Sequence, residues 1–279
     1  MRINTGSVTL NILGEYSPAV EKPVLILLHG FTLSSKDWEP LLPHYKKQFQ
    51  PLAIDIIGHG QSDAPDSPGE YTMSRAVLQI HAVVERLGIT ACHWIGYSMG
   101  GRLVLSYAAE HPDQILSMIL ESTSPGIEDE TDRRKRNMRD ANLAKFIEHN
   151  TIEKFVDRWT QHPIFKSQQS LPKEKLDQAQ TIRLSQSTTG LARSLREMGR
   201  GAMPPLWNAL HRMKMPVLLL SGDNDEAHVE SHGKMATLLP NADNQIVERA
   251  GHNIHFERPE KFIEITTLFY RTLLKNNVN

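Results

Sequence analysis

Cysteine is all but missing from this chain, with Cys92 alone among 279 residues. No internal disulfide can form, and the place of Cys92 in an apolar, strand-like run predicts a buried structural thiol rather than a reactive one. Long apolar runs are lacking as well. No segment approaches the ~18 apolar residues of a membrane span, and the start, Met1 to Thr5, has nothing like the apolar stretch of a signal peptide. A cytoplasmic protein with no membrane partner is expected. An excess of one charge is also lacking. Lys plus Arg number 31 against 32 Asp plus Glu, for a formal net charge of -1, which argues against nucleic acid as a partner of the chain as a whole. There is no G-x-G-x-x-G, no P-loop and no Cys/His set at metal-ligand spacing, so no nucleotide cofactor and no metal are expected. No association motif stands out, and a monomer is expected.

What is present begins with Gly96-Tyr97-Ser98-Met99-Gly100. It follows the strand-like run Ala91 to Ile95 and opens the helix-like run Arg102 to Ala109. A G-x-S-x-G in that context is a nucleophile elbow, a sharp strand-to-helix turn that lifts one hydroxyl above the end of a sheet and needs small residues on both sides. Ser98 sits at its apex. In an ordinary glycine turn the same serine would be bland, so the flanks and the downstream partners carry the argument.

Around the elbow, strand-like runs at 6–13, 23–28, 50–56, 91–95, 115–121, 216–221 and 244–248 alternate with helical patterns, and a terminal helix runs from Pro259 to Lys275. The pattern predicts an α/β fold with a mostly parallel, doubly wound sheet. Residues 1–122 and 208–279 form the core in this reading. Residues 123–207 show helical patterns without a convincing strand, and read as a helical cap inserted over the carboxyl ends of the strands. Between Arg133 and Met203 stand fifteen Lys plus Arg against seven Asp plus Glu, nine of the fifteen being arginine. A solvated helix face accounts for many such charges, but arginine's planar fork suits carboxylate or phosphate, and a cap is where an anionic substrate would be held.

A serine hydroxyl needs an imidazole to take its proton, and the elbow predicts the chain order serine, acid, histidine. Asp225, in the loop after the strand Val217 to Ser221, and His252, after the strand Gln245 to Val247, are placed at the same edge of the sheet as Ser98. Asp223 competes for the acid role, though it could simply cap the turn. Its spacing after Gly222 favours Asp225. His255 is the rival base, and His29 reads as a loop-shaping residue. The peptide N–H groups of Phe31 and Met99 are the candidate donors for an oxyanion or a carboxylate.

Together His29-Gly30-Phe31, Asp55 to Ser62, the elbow, Asp225 and Gly251-His252 resemble the α/β-hydrolase superfamily. Finer features are similar to its MenH branch, the 2-succinyl-6-hydroxy-2,4-cyclohexadiene-1-carboxylate synthases of menaquinone biosynthesis. These are the elbow closed by Arg102, Glu121-Ser122-Thr123-Ser124-Pro125-Gly126-Ile127, the cap stretches Arg133 to Ala144, Phe155 to Phe165 and Gly190 to Gly199, and His252 to Pro259. The chain departs from that pattern at Ala227-His228, where Lys-Phe is expected, and at Arg200 and Met203, where threonine and glutamine are usual. The resemblance implies a lyase that eliminates pyruvate from an anionic polycarboxylate, with the triad as a base and no cofactor. It implies carboxylate contacts from Arg102, Arg133, Arg136 and Arg183, with Tyr97 and Trp159 shaping the pocket. A cytosolic esterase or C–C bond hydrolase, with Ser98 as nucleophile, would use the same triad, and a silent ligand-binding protein could retain it.

Overall fold

The computed structural model describes residues 1–276. Eight strands form one sheet: β1 (Arg2–Asn4), β2 (Thr9–Leu13), β3 (Val24–Leu28), β4 (Gln50–Ile54), β5 (Cys92–Tyr97), β6 (Ile115–Glu121), β7 (Val217–Gly222) and β8 (Ala242–Val247), in the order β1-β2-β4-β3-β5-β6-β7-β8. The pairs β1–β2 and β2–β4 are antiparallel, and every other pair is parallel. The continuous apolar runs lie in the middle of the sheet because both of its faces are covered. In β3, Val24, Ile26 and Leu28 enter one core while Leu25 and Leu27 enter the other. β1 was not expected. Of the strand read at residues 6–13, β2 takes Thr9–Leu13, and residues 6–8 are a short turn, closed by the Thr5 N–H to the Val8 carbonyl, between β1 and β2. Three residues at a sheet edge carry too little apolar pattern to announce themselves.

The helices are α1 (Leu42–Tyr45), α2 (Met73–Arg86), α3 (Met99–Glu110), α4 (Glu130–Glu148), α5 (Ile152–Thr160), α6 (Lys173–Leu184), α7 (Thr188–Met198), α8 (Glu226–Leu238), α9 (Ile254–Glu257) and α10 (Pro259–Asn276). Residues of α2, α3 and α8 pack in the core that takes Val24, and residues of α1, α9 and α10 in the one that takes Leu25. No helix among the described residues is long and apolar enough to cross a membrane.

From β6 to β7 the described residues hold α4 to α7 and no strand. This segment has its own small core of Ala144, Ile147, Phe155, Val156, Leu191, Ala192 and Leu195. Its two ends are tied together: Leu206 N–H donates to the Pro125 carbonyl at 2.7 Å and Trp207 Nε1 to the Gly126 carbonyl at 3.0 Å. Its approach to the sheet needs glycine. A Cβ on Gly190 of α7 would lie 2.1 Å from the Gly58 carbonyl oxygen.

Strand order reverses between β3 and β5. β4 lies outside β3 on one side and β6 outside β5 on the other, which makes their carboxyl ends the crevice where ligands of such sheets bind. Phe31 follows β3 there and Ser98 follows β5.

Candidate active site

The turn at Ser98 is strained, with φ 50° and ψ -106°. Such a conformation persists only when its surroundings enforce it. Ser98 N–H donates to the Glu121 carbonyl at 2.9 Å, and its own carbonyl accepts the Thr123 hydroxyl at 2.7 Å. A Cβ at Gly96 would meet the Gly101 Cα at 2.6 Å, and one at Gly100 the Leu28 carbonyl oxygen at 2.3 Å. The elbow therefore admits only glycine at both places. Met99 starts α3, so its N–H has no partner within the helix. Met99 and Phe31 both line the cavity described below.

His252 Nε2 lies 2.9 Å from Ser98 Oγ, and Nδ1 lies 2.6 Å from Asp225 Oδ2. Asp225 is the residue before α8, yet its side chain caps nothing, because its carboxylate is turned to imidazoles. Burial alone would raise its pKa. Hydrogen bonds from His228 and His252 outweigh that and hold it well below the usual carboxylate range. Asp223 serves the turn instead: its Oδ1 accepts the Ala250 N–H at 3.2 Å.

The loop bearing His252 is fixed by the rest of its motif. Glu257 accepts the Gly251 N–H at 2.7 Å and the Asn253 N–H at 3.3 Å, on either side of the histidine. His255 belongs to another cluster, sealed in the core. Its Nδ1 is 2.6 Å from Glu121 Oε2, its Nε2 is 2.8 Å from Asp37 Oδ2, and its ring stacks on Trp38. His29 also points away from the reaction centre. It accepts the Ile56 N–H on Nε2 at 3.0 Å and donates from Nδ1 to the Gly30 carbonyl at 2.8 Å, while burial pushes its pKa down. It shapes the loop after β3.

Above Ser98 is a cavity of about 300 Å³, lined from the sheet by Phe31, Tyr97, Met99 and Arg102 and from α4 to α7 by Arg136, Trp159, Arg183 and Arg200. Trp159 donates from Nε1 to Thr32 Oγ1 at 3.2 Å and meets Phe31 edge-on at 5.5 Å. Tyr97 is buried between His252 and His255, 5.3 and 5.1 Å from the two rings. Arg102 is 9% exposed and donates to the Met198 carbonyl at 2.5 Å. Burial and the like charges of Arg136 and Arg200 push its guanidinium down to about 9, so at neutral pH it remains a cation in need of an anion. Arg183, 4% exposed, lies over the Phe165 ring, and its Nε has no hydrogen-bond partner. Arg200 Nε is likewise buried and unpartnered. Arg136 is compensated by Asp140 at 2.8 Å. Buried cations held in no ion pair among the described residues, around a hollow, favour binding of anions.

The other arginines divide by position. Arg193 and Arg196 pair with Asp66 and Glu148, and Arg158 lies over Phe146. Arg133 is not among the residues lining the cavity. It occupies the first turn of α4, and the lining begins a turn later, at Arg136. Arg139 and Arg200 line it as well, Arg200 at a position where the chain departs from the family pattern.

The fold also gathers a donor set that sequence spacing did not reveal. Ligating atoms of Asp225, His228 and His252 lie within 4.8 Å of one another. Both Nδ1 atoms are committed to Asp225 by hydrogen bonds, and Arg200 acts on Asp225 and His228 as a nearby positive charge, an arrangement suited to a carboxylate with two imidazoles rather than to a cation. Cys92 is buried in β5, where burial pushes its thiol up.

The α/β-hydrolase fold family matches residues 23–259 of the chain. A Bacillus subtilis (strain 168) protein, provisionally named 2-succinyl-6-hydroxy-2,4-cyclohexadiene-1-carboxylate synthase, is 35% identical over 97% of this chain and 100% of its own. The synthase of that name from Enterobacter sp. (strain 638) is 29% identical over 85% of this chain and 87% of its own. The solved structure of MenH from S. aureus matches with a TM-score of 0.88 at 34% identity, covering 97% of this chain and 99% of that one. The chain belongs to the α/β-hydrolase fold family and, within it, to the family of 2-succinyl-6-hydroxy-2,4-cyclohexadiene-1-carboxylate synthases.

Proposed function

We propose that this protein eliminates pyruvate from 2-succinyl-5-enolpyruvyl-6-hydroxy-3-cyclohexene-1-carboxylate to give 2-succinyl-6-hydroxy-2,4-cyclohexadiene-1-carboxylate, a step of menaquinone biosynthesis. The observation that carries this reading is a hydrogen-bonded Ser98–His252–Asp225 array on the floor of a cavity whose walls hold the buried arginines Arg102, Arg183 and Arg200.

The bond changes follow from the two structures. A proton leaves ring carbon 2, beside the succinyl carbonyl, the ring double bond shifts to complete the 2,4-diene, and the C5–O bond breaks. The departing group is the enolate of pyruvate, which takes up a proton. His252, oriented by Asp225, accepts the Ser98 proton, and Ser98 Oγ removes the ring proton as a general base. No acyl-enzyme forms. The Phe31 and Met99 N–H groups hold a substrate carboxylate or the charge that develops. Arg102, Arg136 and Arg183 take carboxylates, and Tyr97 and Trp159 bound the space around the ring.

Pyruvate release can be followed in a coupled assay that generates the unstable substrate in place. Acceleration by the wild type, lost in Ser98→Ala and accompanied by a KM raised about 10-fold or more in Arg102→Ala, is the expected result. A wild type that fails to accelerate release but turns over simple p-nitrophenyl esters would overturn the reading in favour of a hydrolase with Ser98 as nucleophile.

A further inference from the structure

We infer that His228 is a positioning residue for the triad, seated against both oxygens of Asp225 so that the carboxylate plane is fixed against His252. Its Nδ1 lies 2.9 Å from both Asp225 Oδ1 and Oδ2, while His252 Nδ1 lies 2.6 Å from Oδ2. The two rings flank the carboxylate with centroids 4.8 Å apart, and both residues line the cavity above Ser98. A carboxylate held by a single imidazole can rotate about its own axis; a second donor seated across both oxygens resists that rotation. The second donor also draws electron density from the anion, which moderates its effect on His252.

The protonation of His228 follows from its surroundings. It faces Asp225 and His252 at the sheet edge, His232 one turn on in α8, and Arg200 from α7's carboxyl end. Burial outweighs the hydrogen bond to Asp225 and lowers its pKa, so the ring is neutral near pH 7. A neutral ring beside a carboxylate oxygen carries its proton on the nitrogen facing that oxygen, because two acceptors would repel. Nδ1–H therefore donates to Asp225. His232 cannot replace it: its Nε2 accepts the Thr123 N–H at 3.3 Å. The i,i+3 spacing along α8 places His228 over the carboxylate only because Asp225 is the N-cap and leaves its own helix uncapped.

This inference rests on the triad acting as the base of the proposed elimination, and the two can fail separately. A wild type without pyruvate release would sink the elimination reading. Given an active wild type, His228→Phe and His228→Asn test the inference, since asparagine can present an N–H where Nδ1 stood and phenylalanine cannot. For His228→Phe we expect kcat to fall about 10-fold, KM to stay within about 2-fold, and the acid limb of kcat/KM to move to higher pH, because an Asp225 relieved of one donor makes its remaining partner more basic. His228→Asn should restore the acid limb and much of kcat. The proton shared by Asp225 and His252, read by NMR in the resting protein, should shift in His228→Phe and return towards the wild-type position in His228→Asn. A His228→Phe enzyme with wild-type kcat and acid limb would overturn the inference. So would equal damage in both variants, or a rise in KM at constant kcat, which would make His228 a substrate contact.

Discussion

His252 and His255 are three residues apart in the chain, and both imidazoles lie against carboxylates, but they occupy opposite kinds of site. His252 has one carboxylate, Asp225, and its other nitrogen meets Ser98 at the floor of the cavity. His255 has two carboxylates, Glu121 and Asp37, one on each nitrogen, and lies entirely within the core against Trp38. A ring with both nitrogens committed cannot carry a proton to a substrate. Burial would push His255 down, but Glu121 and Asp37 outweigh it and raise its pKa to about 10. The triad corner is built to exchange a proton and the sealed cluster to keep one.

If the two sites divide chemistry from stability in this way, mutation should separate them. The largest effect expected is from Ser98→Ala, with kcat for pyruvate release falling about 1,000-fold and the unfolding free energy within about 0.5 kcal/mol of wild type, as urea denaturation would measure. Glu121→Gln should do the reverse, losing about 3 kcal/mol of stability because His255 is left with a broken buried pair, while the folded fraction keeps kcat within about 2-fold. A large loss of kcat in folded Glu121→Gln protein would erase the distinction.

A smaller effect is expected from pH. The folded pKa of His255 lies above the ordinary value of about 6.5, so the cluster's contribution to stability is complete below about pH 6.5 and is lost as pH rises through about 10. Urea midpoints of the wild type should decline across that window, and Glu121→Gln should flatten the decline. The smallest effect is expected from Arg133→Ala, since Arg133 is outside the cavity lining. Its kcat/KM for pyruvate release should stay within about 2-fold of wild type, against the marked loss expected at Arg102.

Much of the site could be read before folding because its parts are local. The elbow's glycines, the loop after β7 that ends in Asp225 and the loop after β8 that ends in His252 each declare themselves through a strand followed by a turn, and parallel strands bring their carboxyl ends to one edge. The parts that escaped are set by contacts between distant segments. His255 read as a rival base, because three residues of sequence cannot show that Glu121 and Asp37 close over it. Arg133 read like Arg136, because position along α4, not residue type, decides which arginine meets the cavity.

The sequence by itself determined the central parallel strands, the strained turn at Ser98 and the order of the triad, since apolar runs, glycine geometry and chain order are properties of short segments. Tertiary structure alone decided which cations stand outside any ion pair, and that Asp225 is shared by two imidazoles. Both depend on burial and on which side chains from separate helices come within hydrogen-bond reach, and neither is encoded in the spacing of residues along the chain.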